Sequence, residues 1–425
     1  MSIKLFPKYL FVIFLISTTF SINGQSITEA RGIIDTLASS KFGGRGYSDG
    51  GDKKAASFIA NHFKSYSLKS FTDDYFQTVT FNVNVFPDKV KLKINGKKLI
   101  TGQDYILNPI SGSGLGKGRT IWFDSLIFNS EAARRDFMMM DVSKNIIIYE
   151  SKHYADLIKL PVKYLDHLHE APALIEIQEK KLTASIASNT MNHPTFEMLK
   201  NSNLQVGKKV KFRVDAKLIK NYNSQNIIGY IEGKTKATEY LVITAHYDHL
   251  GRMGKKTYFP GANDNASGIA MLLQLAKYFS KPENQLDYSI CFIAFTGEEI
   301  GLLGSKFYVQ HPIFPLNQIK TLINLDMVGT GDEGITIVNT TENLEDYDKF
   351  VKINSEKNYL PKINKRANAP NSDHYFFTKN GVKAFFIYAL GGIKAYHDIY
   401  DKPETLPLTK FDGVFNLLKD YISGE

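Results

Sequence analysis

The chain has 425 residues, a length that calls for two or three domains, or for one large domain carrying an insertion. Hydrophobic residues at 43% and charged residues at 22% exclude wholesale disorder, collagen and coiled coil, and a mean hydropathy of -0.21 excludes a polytopic membrane protein. The formal charge of +9 is spread along the chain without a Lys/Arg block, so composition lends no support to a nucleic-acid partner. The single cysteine, Cys291, permits neither an internal disulfide nor a thiolate zinc cluster. Any metal must be held by His, Asp and Glu.

At the N-terminus, Lys4 and Lys8 precede an apolar run from Tyr9 to Ile16, followed by small polar residues. That order predicts a secretory signal peptide over residues 1–24. The run is shorter than the ~20 residues a spanning helix needs, and no cysteine follows it, so no stable membrane anchor is expected. Export without a disulfide framework suits a bacterial periplasmic or secreted protein. Residues 25–85 read as helical segments broken by Gly43-Gly44-Arg45-Gly46, then as a strand over Tyr75–Phe81. Residues 86–215 read as a β-rich inserted domain: short apolar strands at Val90–Ile94, Thr120–Phe123, Asn145–Tyr149 and Ala173–Ile177, with an Asn95-Gly96 hairpin turn. Residues 216–425 are regular α/β. Apolar runs at Tyr240–Ala245, Tyr288–Phe295, Thr321–Leu325 and Lys383–Ile387 alternate with helical segments such as Ala266–Phe279 and Leu303–Gln310. Strands apolar on both faces predict an α/β fold with a mostly parallel, mixed sheet covered by helices on both faces.

In such sheets ligands bind beyond the carboxyl ends of the strands, and the chain carries candidate ligands at those points. The first run ends in His246-Tyr247-Asp248-His249. Asp264 lies in a Gly-rich segment before a helix, Glu298-Glu299 follows the second run, Asp326 the third, and Tyr396-His397 comes after the fourth. His246 and Asp248, two apart on an extended chain, share a face, the spacing of a ligand histidine oriented by a carboxylate. Taken singly, each has an ordinary explanation: Asp264 as a helix cap, Glu298-Glu299 as a solvated edge. Together, several buried carboxylates repel one another unless a cation neutralises them.

These words resemble the M28 family of zinc aminopeptidases: Ala245–Gly251, Gly261–Gly268, Phe295–Ser305, Asn324–Gly329 and Tyr396-His397, in order. The resemblance is strong over residues 225–425 and weaker over 26–85. It implies a zinc-exopeptidase-like fold with two Zn2+ per chain, His246 and Asp326 on one, Glu299 and His397 on the other, and Asp264 bridging them. It also implies Glu298 as general base, Asp248 orienting His246, Tyr396 as oxyanion donor and a cis peptide at Asp264-Asn265. Residues 86–215 resemble, more faintly, the protease-associated insertions of that family. The expected substrates are peptides cleaved from the N-terminus. Glutaminyl cyclase, carboxypeptidase action and a non-catalytic binding ectodomain on the same fold remain open alternatives.

Four other features receive structural readings. His167-Leu168-His169-Glu170 is expected on a solvated face, and Ser372 or Asp373 as a helix cap, with support of the metal ligands as the alternative that the family resemblance implies. His249, alternating away from Asp248, is expected to support the site from outside. Gly112–Gly118 lacks the Gly-Lys-Ser/Thr ending of a phosphate loop.

Overall fold

The computed structural model describes residues 26–200 and 206–424; the expected signal segment lies outside them. In chain order the strands are β1 (Phe76–Val85), β2 (Val90–Ile94), β3 (Lys97–Lys98), β4 (Tyr105–Leu107), β5 (Gly114–Trp122), β6 (Asn145–Glu150), β7 (Ala173–Gln178), β8 (Thr195–Leu199) and β9 (Lys209–Val214). They continue with β10 (Lys217–Ile231), β11 (Lys236–His246), β12 (Arg252–Met253), β13 (Thr257–Tyr258), β14 (Tyr288–Phe295), β15 (Ile319–Leu325), β16 (Gly334–Val338), β17 (Ile363–Arg366) and β18 (Ala384–Leu390).

One eight-stranded sheet has the order β1-β10-β14-β11-β15-β18-β16-β17. Its central strands β14, β11, β15 and β18 are mutually parallel, and antiparallel β10 and β16 flank them. The central runs are buried without alternation, from Tyr240 to His246 and from Ser289 to Phe295, because helices cover both faces. Ile27–Leu37, Gly51–Ser65, Gly268–Phe279, Leu344–Lys357 and Phe411–Ser423 pack on one face. Leu303–Gln310 and His374–Lys379 cover the other through Tyr308 and Phe377. The result is an α/β fold with a mostly parallel, mixed sheet between helical layers.

Val85 pairs with Lys217 across β1 and β10, so the chain leaves this sheet after Val85 and rejoins it at Lys217. Between these points lies a second eight-stranded sheet, β3-β2-β9-β5-β6-β7-β8-β4. One of its faces packs Leu92, Phe212 and Ile148 against Leu250, Met253 and Phe259 of the first unit. On the other face, helices Glu131–Met139, Tyr154–Leu157 and Val162–Leu168 cover β6 and β7. The glycine-rich stretch becomes β5: a Cβ on Gly116 would meet the Phe212 ring at 2.8 Å, so alternate glycines let β5 lie flat over that ring.

Candidate metal centre

Every proposed ligand sits at the carboxyl edge of the parallel strands. His246 is the last residue of β11, Glu298 and Glu299 follow β14, Asp326 follows β15, and His397 lies in the loop after β18. Asp264 lies between β13 and helix Gly268–Phe279, and its peptide bond to Asn265 is cis. Side chains from five segments converge because parallel strands end on the same edge.

The side chains form two groups that share Asp264. His246 Nε2 lies 3.4 Å from Asp264 Oδ1 and 3.4 Å from Asp326 Oδ1. His397 Nε2 lies 3.1 Å from Asp264 Oδ2 and 3.0 Å from Glu299 Oε2. His246 Nε2 and Asp326 Oδ1 are buried and have no hydrogen-bond partner. Buried polar atoms left in this state are costly, and all of these donors are nitrogen or oxygen of the kind zinc takes. The residues therefore fit a cation in both places. One atom each from His246, Asp264 and Asp326 lie within 4.8 Å of one another.

The histidine tautomers suit this use. A carbonyl only accepts, so His397 Nδ1 donates to Ala184 O (2.9 Å) and His246 Nδ1 to Asp248 O (3.3 Å). Each turns its Nε2 towards the carboxylates, where a cation would take the place of the Nε2 proton. Charge balance points the same way. Burial opposes ionisation of Glu299, yet His397 and His249 hold its carboxyl down at about 2. Burial likewise opposes a charged His397, yet Glu299 and Asp264 push it up to about 11. Glu298 is driven well above the carboxylate range by burial, with His246 opposing and Asp326, Glu299 and Asp373 reinforcing the rise.

The Asp248 carboxylate faces His246 as expected, with Oδ1 3.7 Å from His246 Nδ1, and the Asp248 backbone carbonyl accepts the shorter bond from that nitrogen (3.3 Å). The carboxylate also accepts from the Tyr47 hydroxyl (2.7 Å) and from the backbone N–H groups of Glu298 (3.3 Å) and Glu299 (3.4 Å). It ties the Glu-Glu turn to the end of β11.

Several supporting residues escaped the sequence reading. Arg45 is fully buried and donates to five carbonyls: Tyr247 (2.7 Å), Pro260 (2.7 Å), Gly261 (2.9 Å), Asp264 (3.1 Å) and Leu37 (3.2 Å). Gly43 and Gly44 precede it at φ 57° and 67°, and a Cβ on Gly44 would stand 2.4 Å from Phe259 O. The Gly-Gly-Arg word was the available signal, but its partners lie some 200 residues away. Asp401 accepts from the N–H groups of Asn263 (2.9 Å) and Asp264 (3.0 Å).

Three structural readings need correction. His249 is buried, with Nδ1 2.6 Å from Glu299 Oε1, and belongs to the site. β11 ends at His246, so the alternation used to turn His249 away no longer applies. Neither Ser372 nor Asp373 caps helix His374–Lys379 through its side chain. Ser372 Oγ donates to Asp326 Oδ2 (2.9 Å) and accepts from Asn324 Nδ2 (2.7 Å), holding the proposed ligand. His167 is also mostly shielded, bonded to Phe137 O at 3.0 Å.

The second sheet reaches the site through one strap. His397 has φ 53°, a left-handed conformation that costs a non-glycine residue about 1–2 kcal/mol. Ala184 N donates to His397 O (2.9 Å), returning the bond from His397 Nδ1. Lys181 Nζ donates to Tyr396 O (2.8 Å) and pairs with Asp398 (2.7 Å). Tyr396 stacks on the His397 ring at 3.9 Å and is 42% exposed, at the mouth of the site.

This fold and donor set define an α/β domain with a candidate cation centre at its strand ends. Residues 226–422 match the profile of peptidase family M28. Aminopeptidase YwaD of Bacillus subtilis is 28% identical over 304 residues, covering 70% of this chain and 61% of its own length. A vacuolar membrane protease of Candida glabrata is 29% identical over 213 residues, which are 48% of this chain and 21% of that protein. The chain thus spans less than two thirds of these curated relatives. Among solved structures, a zinc aminopeptidase from Bacillus subtilis superposes with a TM-score of 0.68 at 22% identity, covering 93% of this chain and 94% of its own. A peptidase M28 precursor from Shewanella amazonensis gives 0.70 at 16%, covering 94% and 93%. At these identities the superpositions speak for the fold.

Proposed function

We propose that the protein is an exported di-zinc aminopeptidase that hydrolyses N-terminal residues from peptides. The observation that carries the reading is Asp264: one carboxylate oxygen faces His246 and Asp326, the other faces His397 and Glu299. His246 and Asp326 would hold one zinc, His397 and Glu299 the other, and Asp264 would bridge them. When bound, zinc supplies Lewis acidity to a scissile carbonyl and makes a water acidic enough to react near neutral pH. Glu298 takes the proton of the attacking water and delivers it to the leaving amine. Neighbouring Glu298 and Glu299 thus divide proton transfer from metal holding, and Asp248 sets the turn that separates them. The Tyr396 hydroxyl, at the open mouth, donates to the oxyanion as it forms. The aminopeptidase named among the relatives supports this polarity.

The test is metal analysis combined with hydrolysis of free and N-blocked aminoacyl amides. About two zinc per chain and activity on free N-termini, lowered at least 100-fold by Glu298→Gln, are expected. One zinc with cyclisation of glutaminyl peptides, or activity confined to blocked peptides, would replace the reading. For export, the mature N-terminus of secreted material is expected between residues 22 and 25, and an intact Met1 would refute it.

A further inference from the structure

The outer face of β2, β9 and β5 carries a charge pattern that linear sequence hides. Register places Lys93, Lys211 and Lys117 in one row across the three strands. The row on one side holds Lys91, Arg213 and Leu115, and on the other Lys209 pairs with Arg119. Seven of these eight positions are basic and none is acidic. Arg213 has a carboxylate partner, Asp215 at 3.1 Å; among the described residues no carboxylate pairs with Lys91, Lys93, Lys117, Lys209 or Lys211.

Like charges directly opposite one another weaken a sheet, so the array has a stability cost that some other gain must offset. Edge protection is one use of strand lysines, but β9 and β5 each have a strand on both sides. A merely solvated face mixes signs. Strands about 4.8 Å apart, with outward side chains about 6.7 Å apart along each, make a two-dimensional lattice of cations rather than a groove. None of the eight positions is aromatic, so the face offers no platform for stacking bases. Leu115, on the same face, is 73% exposed, and Val206, at the turn leading into β9, is 62% exposed. Isolated apolar groups beside cations suit the boundary between headgroups and acyl chains. The opposite face of these strands packs towards Leu250 and Phe259, so the array looks away from the metal centre. Among the described residues no helix is long and apolar enough to cross a membrane.

We propose that the outer face of β2, β9 and β5 is a reversible docking surface for an anionic phospholipid bilayer. Attachment there is electrostatic and screened by salt, and it leaves the catalytic crevice free to take soluble peptides.

Sedimentation with vesicles tests this. The intact chain is expected to bind phosphatidylglycerol–phosphatidylcholine vesicles at low salt, to be released at high salt and to ignore pure phosphatidylcholine. The K93Q/K117Q/K211Q variant removes three cations without adding charge and is expected to bind about 100-fold more weakly. Its circular dichroism and its hydrolysis of a soluble aminoacyl amide stay unchanged. Should the triple variant fold poorly, the single variant K117Q is expected to lose about fivefold. No binding to phosphatidylglycerol vesicles, or equal binding by the folded variants, overturns the proposal. So does salt-sensitive binding to duplex DNA without vesicle binding, which would assign the face to nucleic acid.

Discussion

Replacing Arg45 with methionine removes a side chain that joins the start of the chain to two ligand-bearing segments. Its guanidinium spans carbonyls at Tyr247, just after His246, and at Pro260, Gly261 and Asp264 around the shared carboxylate. Methionine fills a similar volume but donates nothing, so five buried carbonyls each lose a donor, Gly261 O keeping the one from Ala266 N. At the low end of about 1 kcal/mol each, the loss is about 5 kcal/mol. Part is recovered, because burial of the cation is itself unfavourable: it lowers the Arg45 pKa to about 10 against the raising influence of Asp264, Asp401, Asp248 and Glu299. A net destabilisation of about 2 kcal/mol remains, worth about 5 °C in a domain of this size. Lysine in place of arginine keeps the charge but not the planar fork, so it is expected to fall between the two. Urea unfolding followed by far-UV circular dichroism measures the loss, and dialysis against a chelator shows whether zinc leaves sooner. A midpoint for Arg45→Met equal to that of the parent would refute the view that these bonds organise the site.

The strap from the second sheet is expected to govern one zinc equivalent more than the other. Lys181→Met should weaken the more labile equivalent about tenfold in competition with a chelator, because Lys181 grips the backbone and the carboxylate on either side of His397; equal weakening of both sites would count against it. Glu197 gives a pH prediction remote from the metal. It is buried opposite Glu176 in the β7–β8 register, and burial, reinforced by Glu176, pushes its carboxyl up to about 7. A raised acid contributes stability that is complete below its unfolded value and lost as pH rises through the folded one. The second sheet should therefore weaken between about pH 4.5 and 7, by at most about 3 kcal/mol. The fluorescence of Trp122, the lone tryptophan, reports on this sheet. Glu197→Gln should flatten that dependence, and an unchanged slope would remove Glu197 as its source.

Much of the α/β architecture was legible because the central strands are buried on both faces and so appear as unbroken apolar runs. The outer strands were not. β10 begins in Lys-Leu-Ile-Lys-Asn-Tyr-Asn-Ser, where its pairing with β1 comes from register and leaves many side chains in water. His249 was misread because strand alternation was carried past the point where the strand stops. Ser372 looked like a cap because a helix follows it, whereas its hydroxyl turns to Asp326.

The sequence by itself proposed His246, Asp264, Glu299, Asp326 and His397 as candidate donors, and the fold added His249 to the cluster. Candidate ligands adjoin apolar runs, so a local pattern announces both the strand and the edge at which it ends, and the lone cysteine leaves only nitrogen and oxygen donors. Tertiary structure alone decided what holds those donors in place and where the surplus charge gathers. Arg45 and Tyr247 are 202 residues apart, and Lys181 and Tyr396 are 215 apart. The cations of β2, β5 and β9 lie in three separate stretches of chain and become one face only when antiparallel register sets them side by side. Periodicity reports which side of its own strand a residue occupies; which strand lies next to it is settled only by the packing of the whole chain.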